Sequence, residues 1–282
     1  MKAMDRLKIT ACAKINLALS VIGKRPDGYH ELDTVMQSVD LSDTVYIEKS
    51  REINIAGSPF SKEESIEYKA AELFSKTAGT GGAYIKTEKR IPVAAGLGGG
   101  SADAAAVLVG MNELYGAGLD EKELCNMAVK LGADVPFLIS GGTARAKGIG
   151  EKLTRLKAMP EFWFVIIKTG GKSSTAEMFS RLDSTDYKRA DIEKTVSALS
   201  CGNEDMLLSS FSNSFEILWG NSDIIKTVKN LGADAVALSG SGPARFAVFK
   251  EEAAAEKAKE TLLNNGIDAY LCRPCEKSLI IE

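Results

Sequence analysis

Residues 92–106 read Pro-Val-Ala-Ala-Gly-Leu-Gly-Gly-Gly-Ser-Ala-Asp-Ala-Ala-Ala. Four glycines fall within five positions, and Ala-rich helical sequence follows at once. Glycine permits positive φ and lets a ligand approach the main chain closely. A glycine loop that opens a helix presents several unpaired N–H groups at the positive end of the helix dipole. That combination binds phosphate. A plain flexible connector would be mixed with polar Ser, Thr or Asn and would not open a helix. Here Ser101 is a good N-cap and Asp103 suits a first turn. Ala104, Ala105, Val107, Leu108, Met111 and Leu114 continue at helical spacing, so a helix is predicted over 101–115.

The two common nucleotide fingerprints fit badly. G-x-G-x-x-G begun at Gly96 needs glycine where Ser101 stands. Gly171-Lys172-Ser173 supplies the end of a P-loop, but Ile166 stands where its first glycine must be. Gly170-Gly171-Lys172 reads instead as a surface turn. The phosphate site belongs to a third architecture.

Other chemistry is narrowly bounded. His30 is the single histidine, which removes multi-histidine metal sites and leaves acid–base work to carboxylates and lysines. Five cysteines form no regular framework, and Cys272–Cys275 is a lone C-x-x-C read as packing or surface thiols, with a redox role as the lesser alternative. This usage suits a reducing cytoplasm. Net charge is −3, so nucleic acid and anionic membrane have no general electrostatic claim. No apolar run reaches the ~18 residues of a membrane span, and the N-terminus lacks the apolar core of a secretory signal. Oligomeric state stays open.

The elements that must position these groups alternate along the chain. Leu7 to Val21, Thr34 to Leu41, Asp43 to Glu48 and Ala83 to Glu88 are strand-like, and residues 63–78 and 121–131 are helical. A composition change near 156–161 suggests two domains, 1–157 and 158–282. Beyond it come a buried strand (162–168) and helices at about 187–199, 204–219 and 222–231. Two strands follow around Ser239-Gly240-Ser241-Gly242, then a helix at 251–265 and strand pieces at 267–272 and 277–282. In the first strand Ile15, Leu17 and Leu19 form one apolar face, so Lys14 and Asn16 project together from the other. Leu-Gly-Ala-Asp occurs twice, ending at Asp134 and at Asp234. Spacing alone makes Asp134 a helix-end cap, His30 a surface or packing residue and Phe179 part of the core, and it argues mildly against Lys14 as a lysine on a solvated strand face.

Five segments read together change those assignments. Ala13-Lys14-Ile15-Asn16-Leu17, Gly28-Tyr29-His30-Glu31-Leu32, the loop at 92–106, Gly132-Ala133-Asp134-Val135-Pro136-Phe137 and Ser239-Gly240-Ser241-Gly242 resemble, in order, the GHMP small-molecule kinases. Within that family the Asp27-Gly28-Tyr29-His30 and Gly-Ala-Asp-Val-Pro-Phe segments are similar to the branch that phosphorylates a cytidine-diphosphate-bearing alcohol of isoprenoid precursor synthesis. The resemblance implies an α/β chain with an S5-like N-terminal domain and a ferredoxin-like C-terminal domain. It implies ATP and Mg²⁺ as cofactors, with Pro92, Val93, Ala94, Ala95, Gly96, Leu97, Gly98, Gly99, Gly100, Ser101 and Ala102 around the ATP phosphates. Asp134 would be the base that takes the hydroxyl proton, and Lys14 its partner. Asn16, Tyr29, His30, Thr175 and Phe179 would hold the substrate, the aromatic rings on its cytosine. Asp234 is expected to be structural. Ala102 stands where Ser is commoner in the family, so Ser101 would have to supply the hydroxyl near the phosphates or metal, and Ser65 stands where many members have Asn, which puts an adenosine contact in question.

Overall fold

The structure, a computed structural model, describes residues 5–56, 61–62, 64–168, 170–171, 174–220 and 223–282. The first half holds β1 (Arg6–Lys24), β2 (His30–Ser50), β3 (Asn54–Ala56), α1 (Ile66–Ala78), β4 (Gly82–Glu88), α2 (Gly99–Tyr115), α3 (Glu121–Ala128), α4 (Val135–Ser140), β5 (Thr143–Gly148) and β6 (Lys152–Arg155). The second holds β7 (Trp163–Lys168), α5 (Thr175–Asp183), α6 (Ile192–Cys201), α7 (Glu204–Leu208), β8 (Ser212–Asn213), α8 (Glu216–Trp219), α9 (Asp223–Asn230), β9 (Ala235–Leu238), β10 (Ala244–Phe249), α10 (Glu252–Asn264), β11 (Ala269–Cys272) and β12 (Leu279–Ile281).

Two sheets organise the chain. The larger runs β12-β1-β2-β4-β3, with β5 on β2, β6 on β5 and β8 on β1. The smaller runs β11-β7-β10-β9 and is antiparallel throughout. Counted along the chain that order is 4-1-3-2, with helices after its first and third strands, the ferredoxin-like pattern. The terminal strand β12 leaves this unit and pairs with β1, so the last residues belong to the larger sheet.

β1 is buried over most of its length, and α2, itself buried on nearly every side, packs on the larger sheet. The approach is closest at Gly110, where a Cβ would meet Ile47 and Ile9 side chains at 2.5 and 2.6 Å. Only glycine permits that spacing.

Three expectations are corrected. The strands expected at 34–41 and 43–48 are one strand, because β2 pairs with β1 through a register shift at Cys12/Ala13 and never breaks. The helix expected at 204–219 divides into α7, β8 and α8. Its middle is Ser-Ser-Phe-Ser-Asn-Ser, and such side chains compete for backbone hydrogen bonds: Ser210 Oγ donates to Leu207 O, and Asn213 Oδ1 accepts from Phe215 N. Finally, α2 begins at Gly99, not Ser101. Gly98, at φ 72°, occupies the cap position, and its carbonyl accepts from Ala102 N at 2.8 Å. Ser101 and Asp103 therefore lie inside the helix. Of the segment expected as a surface turn, Gly170 and Gly171 are exposed, and Lys172 lies outside the described residues.

Candidate active site

The glycine loop is fixed from behind. Three consecutive carbonyls are taken by other segments: Ala95 O accepts from Ala244 N at 3.1 Å, Gly96 O from Ser239 Oγ at 3.0 Å, and Leu97 O from Lys14 N at 2.9 Å. With its oxygens turned into the protein, the loop leads into the first turn of α2, where Gly99, Gly100 and Ser101 have N–H groups without intrahelical acceptors. An anion suits that end. Gly96 and Gly98 adopt φ of 81° and 72°, and Ala94 takes 54°, alone among described non-glycine residues in positive φ. Such a conformation costs about 1–2 kcal/mol for an L-residue. The side chains of Ala95, Leu97 and Ala102 are buried, so a serine at 102 would have placed its Cβ in the core as well.

Gly96, Ser101, Lys14, Asn16 and Asp134 line one cleft of about 780 Å³. Lys14 is 4% exposed, and its Nζ lies 3.3 Å from Asp134 Oδ2 and 2.8 Å from Asn16 Oδ1. Asn16 donates to Thr34 Oγ1 at 2.9 Å, which fixes its oxygen toward the ammonium. Asp134 does occupy the N-cap position of α4, but its side chain makes no capping bond and faces Lys14 instead. The second Leu-Gly-Ala-Asp differs: Asp234 Oδ2 accepts from Lys250 N at 3.0 Å, and Asp234 is absent from the cleft lining.

The opposite end of the cleft is aromatic. Tyr29, His30, Thr175 and Phe179 line it, with Tyr29 61% exposed. The His30 and Phe179 rings stack on each other, centroids 4.4 Å apart and planes 19° off parallel. A base between them needs about 7 Å, two stacking contacts. So cytosine cannot sit between these two rings as they stand, and a base held by this end of the cleft has to meet the exposed Tyr29 ring or displace Phe179. Thr175 opens α5 beside the Ser174 cap, which accepts from Glu177 N.

Several residues that hold the site are not among the expected contacts of ATP or substrate. Asp183, at the end of α5, bonds His30 Nε2 at 2.7 Å and Lys24 Nζ at 3.2 Å. Ser239 ties the glycine loop to β1, since its hydroxyl also accepts from Asn16 N at 3.4 Å. Lys89 lies 2.5 Å from both Asp43 and Asp103, while Asp43 Oδ1 accepts from Arg90 N and Ile91 N at 2.6 and 2.8 Å. This cluster anchors the start of the loop. Burial pulls the Lys89 ammonium down, but Asp103 and Asp43 outweigh it and hold it above the ordinary range. Burial pushes the Asp103 carboxyl well up, against the pull of Lys89. Ser65 is fully buried and spent as the cap of α1, accepting from Tyr68 N and donating to Glu67.

Among the described residues no group of three or more His, Cys, Asp or Glu could hold a metal by itself. The five cysteines are free, Cys12 and Cys272 being buried. No helix among the described residues is long and apolar enough to cross a membrane.

Residues 65–142 match the GHMP kinases N terminal domain, and residues 220–268 match the GHMP kinases C terminal domain. The 4-diphosphocytidyl-2-C-methyl-D-erythritol kinase of Caldicellulosiruptor bescii is 41% identical, over 96% of this chain and 99% of its own. That of Acetivibrio thermocellus is 42% identical, over 95% and 99%. A crystal structure of 4-(cytidine 5'-diphospho)-2C-methyl-D-erythritol kinase superposes with TM-score 0.78 at 34% identity, covering 95% of this chain and 98% of that one. Homoserine kinase from Cytophaga hutchinsonii shares the fold at TM-score 0.77 and 19% identity, covering 100% and 99%. With near-complete coverage in both directions, the chain belongs to the 4-diphosphocytidyl-2-C-methyl-D-erythritol kinase family of the GHMP kinases.

Proposed function

We propose that the protein transfers the γ-phosphate of ATP to the 2-hydroxyl of 4-diphosphocytidyl-2-C-methyl-D-erythritol, giving the 2-phosphate and ADP, in the non-mevalonate route to isoprenoid precursors. The observation that carries this reading is the single cleft joining the glycine-loop end of α2, the Lys14–Asp134 pair and the Tyr29–His30–Phe179 end. Phosphoryl transfer asks mainly for placement and charge neutralisation. Asp134 accepts the proton of the attacking hydroxyl, and Lys14 steadies that carboxylate and the charge on the transferring group. Asn16 orients Lys14 and borders the substrate. The N–H groups at the start of α2, with residues 92–102 around them, take the ATP phosphates. Tyr29, His30, Thr175 and Phe179 receive the cytidine end, and Phe179 swings off His30 if it stacks on the base.

Mg²⁺ fits this donor set as a phosphate-held ion: Ser101 and Asp134 line the cleft, and Mg²⁺ keeps waters and phosphate oxygens beside one or two protein ligands. Bound there, it neutralises phosphate charge. We place the two domains at 1–157 and 158–282, with β12 crossing back to the first. The reading also puts the protein in the cytoplasm, supported by the free cysteines, with small molecules and neither nucleic acid nor membrane as its partners.

An ATP-consumption assay against alcohols with and without a cytidine diphosphate group tests it. Turnover is expected only with 4-diphosphocytidyl-2-C-methyl-D-erythritol. Equal turnover of homoserine or mevalonate would refute the assignment.

A further inference from the structure

The chain's single histidine is held by a residue that has no motif around it. His30 Nε2 lies 2.7 Å from Asp183 Oδ1, and the other carboxylate oxygen accepts from Lys24 Nζ at 3.2 Å. Phe179 covers one face of the imidazole. Three different elements, β1, β2 and α5, thus converge on one ring. The His30 hydrogen bond, reinforced by Lys24, holds the Asp183 carboxyl below the ordinary carboxylate range. At neutral pH it is ionised and can only accept.

An acceptor-only partner fixes the hydrogen of a neutral imidazole on Nε2 and leaves a lone pair on Nδ1. Nδ1 makes no hydrogen bond to a described residue, and His30 lines the cleft. A lone pair welcomes a donor and repels an acceptor. Cytosine presents an amino group at position 4, whereas the 4-oxo pyrimidines present a carbonyl oxygen there. We infer that Asp183 is a positioning residue for base choice: by locking His30 as its Nε2–H tautomer, it makes the cleft select a 4-aminopyrimidine over a 4-oxopyrimidine. The inference rests on the cytidine end lying at His30, as proposed above. Asp27, another carboxylate in the cleft lining, is committed to Tyr29 N and Arg25.

One histidine gives one imidazole signal set. In 15N-histidine-labelled full-length protein at about pH 8.5, above the ordinary imidazole range, long-range 1H–15N correlation is expected to show the Nε2–H tautomer. Asp183→Ala is expected to give a mixture. In parallel, kcat/KM is measured for the cytidine substrate and its uridine counterpart. Wild type is expected to prefer cytidine by about 100-fold or more. Asp183→Ala should narrow that ratio by about tenfold or more, through KM, with kcat nearly unchanged. Asp183→Glu, which keeps an acceptor, should recover part of the ratio. Should Asp183→Ala not fold, Asp183→Asn is read in its place. An Nδ1–H tautomer in the wild type, or an unchanged ratio in a folded variant, overturns the inference. A wild type inactive on the cytidine substrate sinks the proposed function instead, so the two failures are told apart.

Discussion

Lys14 Nζ and Asp134 Oδ2 stand 3.3 Å apart although 120 positions separate them in the chain. Lys14 comes from the middle of β1 and Asp134 from the start of α4. The lysine side chain is 5% exposed and the aspartate 36%, so the pair has a dry partner and a wet one. The wet member is the one a substrate can reach. Asp134→Asn keeps the shape and removes the proton acceptor. Turnover is expected to fall by about 10²–10⁴-fold, while ATP affinity, measured by calorimetry, stays within about twofold. Retained turnover would remove Asp134 from its role.

The glycine loop and the Ser239 turn touch with no room to spare. A Cβ on Gly96 would lie 2.4 Å from Ser239 O, at a φ of 81°. Gly96→Ala is expected to cost about 1–3 kcal/mol of stability and to raise KM for ATP more than KM for the alcohol. Ala94→Gly should act oppositely, because glycine accepts the φ of 54° that Ala94 bears under strain. Urea denaturation of both variants checks the signs. A neutral Gly96→Ala argues against the tight seam.

Lys89 serves two buried carboxylates at once. Lys89→Met leaves Asp43 and Asp103 facing each other without a cation. Removing one partner from a buried charge cluster costs about 3–5 kcal/mol. Denaturant midpoints should show a loss of that order. A shift under about 1 kcal/mol would mean the carboxylates find another arrangement.

The aromatic end should act on the substrate and not on ATP. His30→Ala and Phe179→Ala each remove one ring of the stacked pair. KM for the cytidine substrate is expected to rise by about ten- to a hundredfold, with KM for ATP unchanged. An unaltered substrate KM in His30→Ala would detach the cytidine end from this part of the cleft.

Acid should weaken the tie between α5 and β2. The Asp183 carboxyl sits below its unfolded value, chiefly through His30. Its contribution is therefore present above the ordinary carboxylate pKa and is lost as pH falls through the lowered folded value. Because Asp183 is 29% exposed, the tie is worth no more than about 1 kcal/mol. Wild type should exceed Asp183→Asn in Tm at pH 6, and the gap should close below about pH 3.5. A gap that persists there points to packing as its source.

Local sequence determined much of this protein. Positive-φ glycines before an Ala-rich helix and apolar runs such as 162–168 act over a few residues, so their meaning is readable in order along the chain. The resemblance added which polar residues to watch, among them Lys14, Asn16 and Asp134. Tertiary structure decided the rest. The shared Leu-Gly-Ala-Asp does not by itself separate Asp134 from Asp234; packing aims one at Lys14 and the other at a backbone N–H. Asp183 is one carboxylate among 38 acidic residues until α5 lays it against His30. Helix 99–115 starts where Gly98 turns its carbonyl to Ala102, a choice of backbone φ that the strong cap residue Ser101 concealed. Short-range propensity sets where the elements form, whereas contacts between distant segments decide which side chains share a site, because only the folded chain removes them together from water.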